Sequence, residues 1–173
     1  MSFVRLLKNG VEVFPAMLRA IDQARTSVVL EMYLISDDGT GREIRAALAR
    51  AAGRGVDVRV LVDAVGSWAL SGSFWDELAA AGGKVKFFRP VFRGLFLFRN
   101  HRKLLLIDDR QAFIGGLNMS DEYYRGLPGE TPWRDNAREI TGYELVRLRR
   151  SFNRMWLRAD APVRTTRLIM RRS

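Results

Sequence analysis

The sequence contains no cysteine and a single histidine, His101, in 173 residues. The first absence removes disulfides, thiolate metal sites and thiol nucleophiles, and it suits a reducing compartment. The second means that any imidazole chemistry runs through one position. No apolar run approaches the roughly 20 residues that span a bilayer, and the opening MSFVRLLKNG lacks the apolar core of a secretion signal. The expectation is a soluble or peripheral chain. Acidic residues are in the minority, 19 against 29 Lys and Arg, for a net charge of +10. The excess is local: residues 147 to 173 hold nine Arg against Asp160, which is +8, so the first 146 residues carry +2. A groove that tracks a nucleic-acid backbone normally spreads its charge around the active site, whereas an Arg-rich end suits anionic lipid headgroups equally well. With 47% hydrophobic residues, the length is right for one domain with a real core.

Strand and helix signals alternate. FVRLL reads as a short strand, Asn9-Gly10 as a turn, and Met17, Leu18, Ile21 and Ala24 as the apolar stripe of a helix with Pro15 in its first turn. SVVLEMYLI, residues 27 to 35, reads as a central strand. It carries Glu31 among apolar neighbours, with Tyr33 on the same face, and a buried carboxylate requires a partner or access to a cleft. Asp37 and Asp38 suit turn and cap chemistry. A helix over residues 41 to 54, the strand VDVRVLVDA, a helix capped by Ser71 or Ser73 and the strand KVKFF follow. This alternation predicts an α/β fold, a layered and mostly parallel or mixed sheet flanked by helices. None of the Gly-rich spots has the spacing of a nucleotide loop.

In RPVFRGLFLFRN, residues 89 to 100, Arg89, Arg93 and Arg99 interleave with Phe92, Phe96 and Phe98, either as a lipid entrance or as a segment packed on the core. HRKLLLIDDRQAFIGGLN, residues 101 to 118, comes next. On a strand His101 and Lys103 share one face, so an imidazole and an ammonium converge, and LLLI is what a doubly buried strand requires. Asp108 has the opposite parity and is expected to turn toward backbone or a cation behind the site. Gly115 and Gly116 offer unshielded backbone N–H groups, and Asn118 an amide, that could hold phosphate oxygens. A last helix, roughly residues 143 to 157, turns Leu145, Leu148, Phe152, Met155 and Trp156 inward and Arg147, Arg150 and Arg154 outward. The tail beyond it carries Leu168, Ile169 and Met170 between arginines.

The spacing H-x-K, four residues, Asp, six residues, G-G-x-N resembles the signature motif of the phospholipase D superfamily. Ser usually follows the first Gly there; Gly116 stands in its place, as is familiar from the cardiolipin synthase branch. NGVEVFPAMLRAI, EMYL and WRD are similar to that branch as well. The resemblance implies His101, Lys103, Asp108 and Asn118 as the catalytic motif, Asp108 in a structural part. It also implies a carboxylate after the motif that pairs with the imidazole, Asp135 first and Glu130 second. Glu31 and Tyr33, with Gly115 and Gly116, are assigned to the substrate side, Glu31 as support or as a direct participant. No cofactor and no metal are expected.

Members of the superfamily usually carry two such motifs, and this sequence has one. A phospholipase D-like domain over residues 1 to 157 with a basic tail over 158 to 173 is therefore expected to need a second motif-bearing half, from another copy or a longer chain. The expected activity is phosphatidyl transfer on an anionic phospholipid such as phosphatidylglycerol, through a phosphohistidine, peripherally on the cytoplasmic side of a membrane. The alternatives are a homodimeric endonuclease acting on nucleic acid with the same groups, and a membrane-binding half-domain without activity.

Overall fold

A computed structural model describes residues 2–88 and 99–159. The stretch with Phe92, Phe96 and Phe98 and the tail with Leu168, Ile169 and Met170 lie outside the described residues.

The chain begins with β1 (Phe3–Lys8) and passes directly into α1 (Asn9–Gln23). Asn9-Gly10 is thus not a free turn but the start of the helix. Asn9 absorbs the change of direction at φ 56°, a conformation Asn tolerates, and the Glu12 carboxylate accepts the Lys8 N–H at 2.8 Å. A side chain at Gly10 would collide with the carbonyl of Tyr123. Pro15 consequently falls one turn deeper than its expected place, and the buried stripe includes Val13 and Phe14 ahead of Met17.

Then come β2 (Ser27–Met32), α2 (Gly39–Gly53), β3 (Asp57–Asp63), the single-turn α3 (Asp76–Ala80) and β4 (Lys84–Phe88). Asp38 caps α2 by accepting the Gly41 N–H at 2.9 Å, as expected. Ser71 and Ser73 do not cap α3: their hydroxyls bond each other at 3.1 Å, and the turn closes through backbone, Asp76 N–H to the Ser73 carbonyl. After them β5 (Leu104–Ile107) and β6 (Gln111–Gly115) form a hairpin, α4 (Asp121–Tyr124) is one turn, and β7 (Asn136–Thr141) precedes α5 (Glu144–Arg158).

The strands form one sheet in the order β1-β7-β6-β5-β2-β3-β4. β2, β3 and β4 run parallel, and β5, β6, β7 and β1 join antiparallel. The sheet is therefore mixed. Helices α1, α2 and α3 cover one face, burying Phe14, Ile21, Leu48 and Leu78 against Val28, Leu30, Val60 and Leu105. On the other face Leu145 and Phe152 of α5 pack on Val29, Leu61, Leu104 and Leu106. Alternate residues of β5 serve opposite faces, which is why LLLI is apolar throughout. A fully buried side chain such as Phe152 contributes about 1.5–3 kcal/mol.

The β5–β6 turn bears on the motif. Asp108 and Asp109 both adopt positive φ, 52° and 54°, and the Arg110 N–H reaches the Ile107 carbonyl at 2.9 Å. The Asp108 carboxylate accepts the backbone N–H groups of Arg25, Thr26 and Ser27 and the Thr26 hydroxyl, at 2.8–3.2 Å. It ties the hairpin to the start of β2, at the opposite end of the sheet from His101. Asp109 accepts from Arg149 of α5 at 2.6 Å.

Candidate active site

Ligand sites in sheets of this kind open beyond the carboxyl ends of the parallel strands, and the motif assembles there. His101 and Lys103 are not on a strand: the β2–β5 ladder ends at Glu31 opposite Leu104, and residues 101 to 103 have no ladder partner among the described residues. The shared strand face inferred from their spacing is therefore not what brings them together. Tyr33, one residue past β2, does so. The exposed His101 ring lies against the Tyr33 ring with centroids 4.0 Å apart and a 33° tilt. The Lys103 ammonium sits 5.5 Å from the same ring and donates to the His101 carbonyl at 3.2 Å.

Tyr33 is fixed through its backbone. The Ser67 hydroxyl donates to the Tyr33 carbonyl at 3.3 Å and accepts the Ile35 N–H at 3.1 Å, and a side chain at Gly66 would collide with that carbonyl. Beyond it, a parallel bridge between Ile35 and Met119 brings Asn118 to the same end of β2.

Buried polar groups hold the histidine segment. Glu31 and Asp63, at the carboxyl ends of β2 and β3, are fully buried. Glu31 accepts from the Asn100 amide at 2.7 Å, and Asp63 accepts the Asn100 N–H at 2.9 Å. The Arg102 guanidinium lies 3.3 Å from Glu31 Oε2, close enough for an ion pair but not aligned as a hydrogen bond. Burial pushes the Glu31 carboxyl up, partly offset by Asn100 and Arg102.

Asp135 sits immediately before β7. Its carboxylate accepts the Asn136 N–H at 2.7 Å and occupies the space where a side chain at Gly116 would begin. Burial lowers the Lys103 pKa below the usual lysine value, while the charge of Asp135 works to raise it. Among the described residues no hydrogen bond joins Asp135 to His101; the carboxylate acts on Lys103 instead. Glu130 closes a backbone turn, its N–H on the Leu127 carbonyl.

Gly115 and Gly116 prove to be places of close approach. A Cβ on Gly115 would crowd the backbone of Asn136 and Ala137, and the Gly116 N–H is already committed to the Asn136 carbonyl at 3.3 Å. Gly116 supplies room for Asp135, not a free donor for phosphate. The Asn118 amide donates to the Tyr123 hydroxyl at 3.3 Å, and its buried oxygen has no partner among the described residues. The Tyr123 pKa is raised by burial and by Asp135 and Glu122, against the Asn118 hydrogen bond. Trp133 meets the Tyr123 ring edge-on at 5.4 Å.

Sequence reasoning missed Asn100, Asp63, Ser67 and Tyr123. A signal existed for two of them: Asp63 ends a buried strand beside the one that carries Glu31, and Asn100 is a neutral polar residue immediately before His101.

Residues 17–156 match the family described as "Cardiolipin synthase, PLD-like domain". Cardiolipin synthase A of Pseudomonas putida is 41% identical over 158 residues, and that of Pseudomonas syringae pv. syringae (strain B728a) 38% identical over 159. Each match takes in 88% of this chain and 33% of the relative. Among solved structures, NucT from Helicobacter pylori has a TM-score of 0.72 at 18% identity, covering 92% of this chain and 98% of that one. Nuc from Salmonella typhimurium, a phospholipase D family member, has a TM-score of 0.69 at 21% identity, covering 92% and 97%. Phosphatidylserine synthase of Haemophilus influenzae Rd KW20 has a TM-score of 0.65 at 19% identity, covering 82% and 34%. At such identities these three structures establish the fold alone.

Fold and motif together define a phospholipase D-like domain. Within that class, the chain belongs to the cardiolipin synthase PLD-like domain family. It spans about a third of the length of the curated relatives it matches. No helix among the described residues is long and apolar enough to cross a membrane.

Proposed function

We propose that this domain supplies the nucleophilic half of a cardiolipin synthase-type phosphatidyl transfer. The observation that carries the reading is the state of the lone imidazole. His101 is exposed, has no side-chain hydrogen bond among the described residues, and is backed by Tyr33 with the Lys103 ammonium over the same ring.

A ring nitrogen of His101 attacks the phosphodiester phosphorus, and the bond to the leaving alcohol breaks as a phosphohistidine forms. The histidine of a second motif-bearing half protonates that alcohol and then takes the proton of the incoming hydroxyl, which displaces His101. A glycerol hydroxyl of phosphatidylglycerol yields cardiolipin; water yields phosphatidic acid. Lys103 and the Asn118 amide meet the charge that develops on the phosphorane oxygens, and the charge of Asp135 opposes the effect of burial on Lys103. Asp108 positions the hairpin and touches no reacting atom. The need for a second half fits a domain that matches a third of each cardiolipin synthase A relative. The basic segment 158 to 173 is assigned to anionic headgroups on the cytoplasmic side of a membrane.

The test is a paired assay of the two-motif form at low and high salt, on phosphatidylglycerol vesicles and on single- and double-stranded DNA, with His101→Ala as the blank. Conversion of phosphatidylglycerol to cardiolipin that persists at high salt and vanishes in His101→Ala is expected. Cleavage of DNA that depends on His101, with the lipid neither bound nor converted, overturns the assignment in favour of a nuclease.

A further inference from the structure

We infer that Asn100 is the positioning residue of the nucleophile, holding the segment that carries His101 between two buried carboxylates on adjacent parallel strands. The inference rests on the reading above only in making His101 the attacking group.

The need for such a device follows from where the ladder stops. β5 begins at Leu104, so among the described residues the segment 100 to 103 lacks the strand pairing that would otherwise set the direction of a side chain. An exposed histidine in an unpaired segment would sample many orientations, and ordering it costs conformational entropy. Asn100 replaces the missing ladder. Its backbone N–H donates to Asp63 Oδ2 at 2.9 Å, its amide donates to Glu31 Oε1 at 2.7 Å, and its side-chain oxygen accepts the Arg102 N–H at 3.3 Å. Arg102 in turn faces the other oxygen of Glu31 at 3.3 Å. Both neighbours of His101 are therefore fastened to the same carboxylate, and His101 projects from between them onto Tyr33.

The anchors are themselves rigid. Asp63 Oδ1 accepts the N–H groups of Val65 and Gly66 at 2.9 and 3.1 Å, which fixes the carboxylate in its own turn. Its Oδ1 also lies 3.6 Å from the Arg99 guanidinium. Glu31 stands opposite Leu61 in the parallel ladder, two residues before Asp63. Asn100 is 3% exposed, and both acids are 0% exposed. Two desolvated carboxylates are an inefficient way to stabilise a fold, since well-packed apolar residues do as well or better. Their arrangement around one asparagine is accounted for by the geometry they impose on the next residue.

Because His101 is the only histidine, its ring gives one set of NMR signals and the test needs no turnover. In the full chain, with histidine labelled, the His101 ring protons are expected to be shifted upfield by the Tyr33 ring and to show nuclear Overhauser contacts to it. Asn100→Ala and Asn100→Asp are each expected to abolish the contacts and move the shift to that of free histidine, the second by setting two carboxylates face to face. The double variant Glu31→Gln with Asn100→Asp restores one carboxylate–amide hydrogen bond with the roles exchanged, and the Tyr33 contacts are expected to return. If the single variants do not fold, Arg102→Gln at its half-exposed position removes one of the two fastenings and is expected to weaken the contacts. Wild-type shift and contacts in Arg102→Gln and in every folded Asn100 variant would overturn the inference. Where the two-motif form turns over lipid, Asn100→Ala should lower kcat by roughly 10²-fold with KM unchanged. If the wild type turns over no lipid while the NMR signature still depends on Asn100, the functional reading fails and the positioning role stands.

Discussion

The carboxylate of Asp135 fills the space in which a side chain at Gly116 would start. This couples the second glycine of the motif to the charge of Lys103, because Asp135 is the group that opposes the effect of burial on that ammonium. Gly116→Ser, which installs the residue usual in the superfamily, is expected to push the carboxylate away. With its counter-charge displaced, Lys103 should titrate at lower pH than in the parent domain, and the alkaline limb of the activity profile should move down with it. Titration of the lysine side-chain carbons by NMR checks this; an unchanged Lys103 curve in Gly116→Ser would mean that the carboxylate does not govern the ammonium.

A second prediction concerns Asp108, whose carboxylate takes four donors at the start of β2. Asn keeps the left-handed backbone acceptable and one acceptor oxygen, but removes the charge and turns the other oxygen into a donor, so Asp108→Asn tests what the ionised carboxylate contributes. A loss of about 1–3 kcal/mol is expected in urea unfolding near neutral pH. Burial works to raise this carboxyl's pKa, and the Ser27, Thr26 and Arg25 N–H groups with the Thr26 hydroxyl outweigh it, so the native value lies below the unfolded one. The stabilisation is then complete above the ordinary carboxylate range and disappears as pH falls through the native value. The gap between the parent and Asp108→Asn should close on acidification. A gap independent of pH would assign the effect to packing.

How far the sequence discloses this molecule depends on the range of the contacts involved. The strands and long helices are legible because their periodicity is local: Leu145 and Phe152 on α5, or LLLI on β5, announce their burial within a dozen residues. The His-Lys pair is legible by spacing, yet the physical reason given by spacing is wrong, since neither residue lies on the strand and Tyr33 is what they share. Asn100 is silent because its partners stand 37 and 69 residues away in sequence, across two strands. The same holds for Asp135: its relation to Gly116 and Lys103 exists only once β7 has paired with β6. Asn9-Gly10 misleads for the converse reason, a turn-forming pair used to open a helix that packs on Tyr123.

Glu31 gives a prediction of opposite sign to Asp108. Burial raises its pKa more than Asn100 and Arg102 lower it, so between the ordinary and the native value the folded state binds the proton more tightly. Stability therefore falls as pH rises through that window, and the cost is complete above it. Glu31→Gln keeps an acceptor for the Asn100 amide and removes the cost. Relative to the parent, its stability is expected to rise as pH increases through that window, beginning near about pH 4. Denaturation midpoints of the pair across this range decide the matter. A variant less stable at neutral pH than in acid, relative to the parent, would show that Arg102 and Asn100 outweigh the burial.

The last prediction concerns assembly. One imidazole cannot be covalently bonded to phosphorus and at the same moment deliver a proton to the departing alcohol, and this chain has one histidine. Nearby groups do not replace a second one. The Lys103 ammonium is engaged on the His101 carbonyl beside the Tyr33 ring, and the Tyr123 hydroxyl has its pKa raised, which makes it a poor source of a proton near neutrality. Activity is therefore expected only in species that contain two motif-bearing halves, whether two copies of this chain or this domain joined to the rest of a chain as long as its relatives. Light scattering on chromatographic fractions, with phosphodiesterase turnover measured on each, reads this directly. Mixing the chain with an excess of its own His101→Ala form adds a second reading: if two copies pair, the inactive partner should titrate turnover away. Turnover confined to monomer fractions and indifferent to the His101→Ala chain would rule out the two-half mechanism and require a proton donor from within this domain.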